Sequence, residues 1–213
     1  MHEPLIYLIT DGEITAENFR EKSAETLKII EKAVWAKISL IQIREKQLSA
    51  RQVFELTEKA ARITKHSETK LVVNDRADIA LAADADGVHL PANSLSAEII
   101  RRNFPRRFII GVSAHSLADV EKAKCEGADF AAFSPIFATV SKAKYGAPQG
   151  VAALREVVET IGEFPILALG GIDENNFGEV LNAGANGIAA IRLLNDAENL
   201  AEIAGKIRDY KNE

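Results

Sequence analysis

The sequence predicts an α/β chain folded as a single (β/α)8 TIM barrel over residues 1–213. Short apolar runs alternate with amphipathic stretches along the chain, the pattern of a parallel sheet with helical crossovers. There are eight such runs. One small joint also recurs, as Ala85-Asp86-Gly87-Val88, Gly127-Ala128-Asp129-Phe130 and Gly184-Ala185-Asn186-Gly187-Ile188. Each copy closes a helix pattern with Gly, Asp or Asn before a strand opens. Eight units give about 27 residues each, which fits a closed barrel. An open doubly wound sheet is the alternative, but no G-x-G-x-x-G opens a crossover helix.

The strand candidates are Leu5–Ile9, Ile38–Ile43, Leu71–Val73, Gly87–Leu90, Phe108–Val112, Phe130–Phe133, Ile166–Leu169 and Gly187–Ile191. They are rich in Ile, Val, Leu and Phe with little alternation, as strands buried on both faces are. The first helix pattern, Ala16–Val34, sets Phe19, Leu27, Ile30 and Val34 on one side, with Ser23 interrupting the stripe. The second, Ser49–Lys65, repeats Val53, Leu56, Ala60 and Ile63 at helical spacing. Its Ser49 and Gln52 form a capping-box pair. The third crossover, Arg76–Ala83, is short. Ser96–Phe104, Ser116–Glu126, Val151–Ile161, Asn175–Ala183 and Ala197–Lys211 complete the set.

Composition narrows the function. At 47% hydrophobic the chain can bury one sizeable core, and no linker-like stretch divides it. A net charge of −5 argues against non-specific nucleic-acid binding, which rests on clustered Lys and Arg. Cys125 is the only cysteine, so a reduced, cytoplasmic setting is expected. There is no signal-peptide pattern and no apolar run near the roughly 20 residues that span a bilayer. Oligomeric state is left open, with a homodimer among the expected assemblies.

In such barrels the chemistry sits where strands end. The first strand leads into Thr10-Asp11. The second runs out through Gln42-Ile43-Arg44-Glu45-Lys46. Alternation puts Gln42, Arg44 and Lys46 on one side, a clamp for a pyrophosphate or else a solvated strand end. Asn74 and Asp75 at the third exit suit a phosphate and a divalent cation, or an N-cap on the next helix. His89 is a core histidine or a site residue, and Ser94 is a candidate N-cap. Ser113 and His115 follow the fifth strand, and His115 has the residue type for proton transfer. The longest loop, Ser134–Gly150, carries Thr139, Ser141 and Lys142, hydroxyls plus a cation suited to phosphate oxygens. Gly170-Gly171 after strand seven and Ile191-Arg192 after strand eight supply backbone amides, the usual phosphate cup of the fold.

The ordered set Gln42–Lys46, Asn74–Arg76, Asp86–His89, Gly111–His115, Pro135–Lys142 and Gly170–Ile172 resembles the thiamine phosphate synthases and their relatives the thiazole tautomerases. The resemblance runs from Tyr7 to about Leu194. It implies coupling of 4-amino-2-methyl-5-hydroxymethylpyrimidine diphosphate to a thiazole phosphate, with Mg2+ helping pyrophosphate to leave. In that pattern Gln42, Arg44, Lys46, Asn74 and Lys142 bind the pyrimidine pyrophosphate, Asp75 holds Mg2+, and Ser113 contacts the pyrimidine. Thr139, Ser141, Gly171 and the Ile191-Arg192 backbone hold the thiazole phosphate. Lys142, Ser113 and His115 are the catalytic candidates. Two positions depart from the synthase pattern: Ser94 stands where a second Mg2+ carboxylate is expected, and Arg192 stands where a small residue is usual. The tautomerase alternative uses His115 as acid and base. A third alternative is a barrel that binds phosphate ligands without chemistry.

Overall fold

The computed structural model describes residues 3–138 and 147–210. Its eight strands are β1 (Leu5–Ile9), β2 (Leu40–Ile43), β3 (Lys70–Asn74), β4 (Gly87–Leu90), β5 (Ile109–Ala114), β6 (Phe130–Phe133), β7 (Ile166–Leu169) and β8 (Gly187–Ala190). They pair in sequence order, all parallel, and β8 returns to β1 to close the barrel. The helices that alternate with them are α1 (Phe19–Trp35), α2 (Ala50–Thr64), α3 (Ala77–Ala82), α4 (Ala97–Asn103), α5 (Leu117–Cys125), α6 (Gly150–Ile161), α7 (Phe177–Asn182) and α8 (Leu200–Arg208). The open-sheet alternative is thereby excluded.

Alternation along each strand sorts the apolar residues into two cores. Ile6, Leu8, Ile41, Ile43 and Ala131 face outward and pack under the helices. Tyr7, Ile9, Leu40, Val72, Phe130, Leu167 and Ala189 face inward and fill the barrel. The barrel is therefore a packed core with a mouth, and not a pore.

The recurring joint has a physical job. The Asp86 carboxylate accepts the Leu71 N–H at 2.9 Å, the Asp129 carboxylate accepts the Ile110 N–H at 2.7 Å, and the Asn186 amide oxygen accepts the Ile166 N–H at 2.8 Å. Ser39 does the same for Ile6 at 3.1 Å. The residue just before each even strand thus satisfies a backbone donor of the odd strand preceding it. Without that partner the donor is stranded at the barrel's lower rim.

Helix starts follow a second repeat that periodicity alone does not show. Thr15-x-x-Asn18, Asp173-x-x-Asn176 and Asp196-x-x-Asn199 each form a polar turn before α1, α7 and α8. The Asn18 and Asn176 oxygens accept the N–H of Thr15 and Asp173, and Asp196 accepts from Asn199. These turns move the three starts to Phe19, Phe177 and Leu200, later than apolar spacing predicts. The core stripe of α1 also differs: Ser23, Thr26, Ile30 and Ala33 are its buried residues. The α2 capping box is present as expected. Ser94 is not an N-cap; Ser96 fills that role for α4 by accepting from the Ile99 N–H.

Candidate active site

The site lies at the C-terminal mouth of the barrel, where strand ends deliver polar side chains above an aromatic floor. Tyr7, Phe130 and His89 make that floor. Tyr7 and Phe130 meet edge to face at 5.5 Å, and His89 lies 5.8 Å from Tyr7 and 6.0 Å from Phe130. Gly111 makes room for it, since a Cβ there would lie 2.3 Å from Phe130 Cζ and 2.8 Å from His89 Nδ1.

A polar chain threads this floor. Gln42 Nε2 donates to the Tyr7 hydroxyl at 2.6 Å, Tyr7 meets His89 Nδ1 at 3.1 Å, and His89 Nε2 meets Ser113 Oγ at 2.9 Å. Gln42 therefore does not stand in line with Arg44 and Lys46 at the rim. It is 1% exposed and sits one layer deeper, inside the barrel. Ser113 lies within β5 and not in the loop after it, because the strand continues to Ala114.

Burial pushes the Tyr7 phenol well above its usual range, against a smaller opposing effect of the Gln42 hydrogen bond. Burial first, then the nearby Arg44 charge, pushes His89 down to about 3. His89 is thus neutral at physiological pH, while an unfolded histidine titrates near 6.5. Above that pH both states are neutral and His89 adds no pH dependence. Below it the unfolded chain binds the proton first, so stability falls as pH drops from 6.5 toward 3. We expect about 2 kcal/mol of loss from this residue between pH 7.5 and 5. Urea unfolding at the two pH values measures it, and His89→Gln should flatten that part of the profile.

Arg44 and Lys46 rise from the end of β2. Burial holds the Arg44 guanidinium below its usual range, with a smaller opposing effect from Glu45. The Arg44 charge is the main cause that lowers Lys46, followed by burial, with Asp75 pulling the other way. The pairing of β2 with β3, Ile43 opposite Val73, brings Arg44 and Lys46 out of the barrel beside Asn74 and Asp75. Two cations held close with one exposed carboxylate form a site with room for an added anion.

Glu45 points away from that clamp and is 6% exposed. One of its oxygens accepts the Ile14 N–H at 3.2 Å, and among the described residues Oε1 has no hydrogen-bond partner. Burial pushes its carboxyl above the usual range, with Thr10 and the Ile14 and Gly12 amides opposing. Thr10 Oγ1 also accepts the Arg44 N–H at 2.8 Å. Together Glu45 and Thr10 tie the loop after β1 to the base of the clamp.

Asn74 ends β3, half-buried and paired in register with His89. It does not cap α3, whose cap position is Arg76. Asp75 is exposed in the left-handed region at φ 59, and the Ser94 hydroxyl donates to its Oδ1. Ser94 thus stands where a second carboxylate would adjoin Asp75. Among the described residues no group of three or more His, Cys, Asp or Glu side chains could hold a metal by itself. One carboxylate beside an amide and two cations fits a Mg2+ that completes its shell with phosphate oxygens and water.

His115 is pinned on three sides. The Asp119 carboxylate accepts its N–H at 2.9 Å, Gln149 Nε2 donates to its carbonyl at 2.8 Å, and its Nδ1 donates to the Ser134 carbonyl at 2.7 Å. Nε2 is then the basic nitrogen. Gly171 sits at φ 68, where a Cβ would lie 2.7 Å from Phe137 Cβ, so the turn after β7 packs on the start of the long loop. The backbone at Ile191 and Arg192 follows β8. The Ile191 carbonyl accepts from the Leu194 and Asn195 N–H groups and the Asn195 side chain, and the Arg192 side chain is exposed. Thr139, Ser141 and Lys142 lie outside the described residues.

Tyr7 is the site residue that strand reading passes over. The available signal is a phenol in an otherwise aliphatic strand, since a buried tyrosine hydroxyl needs a partner. A large concavity lined by Trp35, Lys37, Ser39, Lys70 and Arg208 opens at the other end of the barrel, away from all of these groups. Among the described residues no helix is long and apolar enough to cross a membrane.

Known proteins resemble this chain in sequence and in fold. Residues 6–194 match the family model described as thiamine monophosphate synthase. The thiamine-phosphate synthase of Chloroflexus aurantiacus is 36% identical over 95% of this chain and 90% of its own. That of Clostridium tetani is 33% identical over 98% and 96%. The structure of thiamine phosphate pyrophosphorylase from Pyrococcus furiosus superposes with a TM-score of 0.76 at 28% identity, covering 95% of this chain and 96% of that one. A 3-hexulose-6-phosphate synthase, at 16% identity and a TM-score of 0.67, shares the fold. With a fitting barrel, a fitting mouth and a family match over most of its length, the chain belongs to the thiamine monophosphate synthase family.

Proposed function

We propose that this chain is a thiamine-phosphate synthase, a transferase that joins the aminopyrimidine diphosphate to the thiazole phosphate and releases pyrophosphate. One observation carries the reading: Arg44 and Lys46 follow the end of β2 where Asn74 and Asp75 follow the neighbouring β3, with Ile43 opposite Val73, so two cations and a carboxylate share one side of the barrel mouth. The bond from the pyrimidine methylene carbon to the diphosphate oxygen breaks, and the electron pair leaves with pyrophosphate. The resulting pyrimidine cation accepts the lone pair of the thiazole nitrogen, forming the new C–N bond.

Arg44 and Lys46 stabilise the charge that grows on the leaving group, an interaction stronger in the transition state than before it. Asn74 and Lys142 bind the same pyrophosphate, and Gln42 orders the pocket from below. Asp75 holds Mg2+, which when bound neutralises part of the diphosphate charge. Ser113 contacts the pyrimidine. The Gly171 and Ile191-Arg192 backbones, with Thr139 and Ser141, hold the thiazole phosphate.

The test is direct. Purified protein given both substrates and Mg2+ should release thiamine phosphate and pyrophosphate in equal amounts; no product under saturating conditions overturns the reading. The Ser94 hydroxyl on Asp75 yields a further expectation. Ser94→Asp should lower the Mg2+ concentration for half-maximal rate by roughly tenfold, because it adds a second carboxylate beside the first. A magnesium titration of the rate checks it.

The pinned His115 favours a second reading, thiazole tautomerase, because its Nε2 is left free of the Ser134 contact for proton transfer. If no thiamine phosphate forms, yet the thiazole carboxylate phosphate tautomer is converted and His115→Ala stops the conversion, that reading replaces the first.

A further inference from the structure

Four polar side chains cross an otherwise apolar barrel interior in a line, Gln42 to Tyr7 to His89 to Ser113. Three of them are nearly or fully buried: Gln42 at 1%, Tyr7 at 0% and His89 at 3% exposure. The inward neighbours Ile9, Val72, Leu167 and Ala189 show what fills this core elsewhere. Buried polar groups on this scale are costly unless every one is partnered, and a partnered chain has a definite direction.

The direction follows from donor counting. The Gln42 Nε2 can only donate, so the Tyr7 oxygen accepts. The Tyr7 proton then goes to the next partner, His89 Nδ1, which must carry a lone pair. A neutral imidazole holds one proton, so it resides on Nε2 and is donated to Ser113 Oγ. The Ser113 hydroxyl, half-buried at the mouth, is left with its own proton to give. Burial favours the protonated phenol and the neutral imidazole, so both links stay as counted across physiological pH.

We infer that Tyr7 and His89 are positioning residues that aim the Ser113 hydroxyl as a donor, so that the site selects a ligand ring presenting an in-plane nitrogen acceptor. The inference rests on the synthase reading, in which that ring is the aminopyrimidine of the diphosphate substrate. A neutral heterocycle offers such a lone pair at each ring nitrogen, whereas a C–H edge there meets the hydroxyl with no acceptor. Leaving a buried donor unmatched is the larger part of the discrimination.

Two measurements test this together. The first is nitrogen-15 NMR of histidine-labelled protein without ligand. His89 should appear as the neutral Nε2–H tautomer, with Nδ1 as acceptor, from pH 5 to 8. In Tyr7→Phe the Nδ1 partner is gone and the signal should become a mixture of tautomers. The second compares the pyrimidine diphosphate with its two analogues in which one ring nitrogen is replaced by C–H. For the wild-type protein, one analogue should show a KM raised about tenfold or more, with kcat changed far less. Tyr7→Phe and Ser113→Ala should each shrink that preference to about twofold, and the double variant should do no worse than Ser113→Ala alone.

An Nδ1–H tautomer or a charged imidazole in the wild-type protein overturns the inference. So does a Tyr7→Phe variant that keeps the full preference for the natural ring. The NMR of the wild-type protein needs no variant to fold, so it decides the direction of the chain even if Tyr7→Phe is unstable. A wild-type protein that forms no thiamine phosphate overturns the parent reading instead, and is distinguished by an unchanged His89 signal.

Discussion

Arg44→Ala is expected to reduce kcat/KM for thiamine phosphate formation by about 10²- to 10³-fold, the usual effect of removing one donor to a developing anion. The fold should survive. The part of residue 44 that holds the structure is its backbone N–H, accepted by Thr10, and alanine retains it. The guanidinium itself is only half-buried at the mouth. Arg44→Lys is the informative companion. It keeps a charge but loses the planar fork that matches two phosphate oxygens, so its activity should fall between the wild-type and alanine enzymes. The Lys46 ammonium should also titrate higher in Arg44→Ala, because the charge that chiefly depresses it is gone. Steady-state kinetics with unfolding curves measured in parallel check the set. Alanine kinetics within twofold of the wild-type enzyme would remove the pyrophosphate assignment.

Gly87→Ala is expected to destabilise the barrel by about 3 kcal/mol, at the top of the range for overpacking a closed interior. Gly87 opens β4 within the recurring joint. A Cβ there would lie 2.0 Å from the Ile109 carbonyl oxygen and 2.7 Å from its carbon. Those atoms are backbone, and β5 is held by β4 and β6 on its two sides, so the contact cannot be relieved by turning a side chain. For a chain of this size the midpoint of thermal unfolding should fall by roughly 6 to 12 °C. Gly205→Ala is the control. It lies inside α8 with nothing within 4 Å of its added methyl, so it should stabilise by about 0.5–1 kcal/mol. Equal effects from the two substitutions would show that close approach at Gly87 is not what requires glycine.

The barrel was legible because its signals are local. Both-face burial writes a nearly continuous apolar run for each strand, and the Ala-Asp-Gly, Gly-Ala-Asp and Gly-Ala-Asn joints mark where β4, β6 and β8 begin. The helix starts were less legible, since turns such as Asp173-x-x-Asn176 satisfy backbone donors before apolar spacing is interrupted. The mouth was partly legible for the same reason. Arg44, Lys46, Asn74 and Asp75 lie at strand exits, where alternation and position suffice to gather them. The depth of Gln42 was not, because its place below the clamp depends on the Tyr7 hydroxyl, a partner 35 residues away in sequence. The Ser113 hydroxyl interrupts an apolar pattern and so reads as the start of a loop, whereas its hydrogen bond to His89 satisfies it within the strand. Separation in sequence, 19 residues here, also hides the link between Ser94 and Asp75, which is set by how neighbouring βα exits meet and not by spacing.

Residues from several strand ends should meet around one anionic reaction centre, and a crystal structure of the protein with Mg2+, pyrophosphate and thiamine phosphate would reveal whether they do. Pyrophosphate should bridge Arg44 and Lys46 with the metal against Asp75, the pyrimidine should rest on Ser113, and the thiamine phosphate group should lie against the Gly171 and Ile191-Arg192 backbone. Ligand density at the opposite end of the barrel, beside Trp35 and Arg208, with the mouth lacking it, would show that the strand ends do not form the reaction centre.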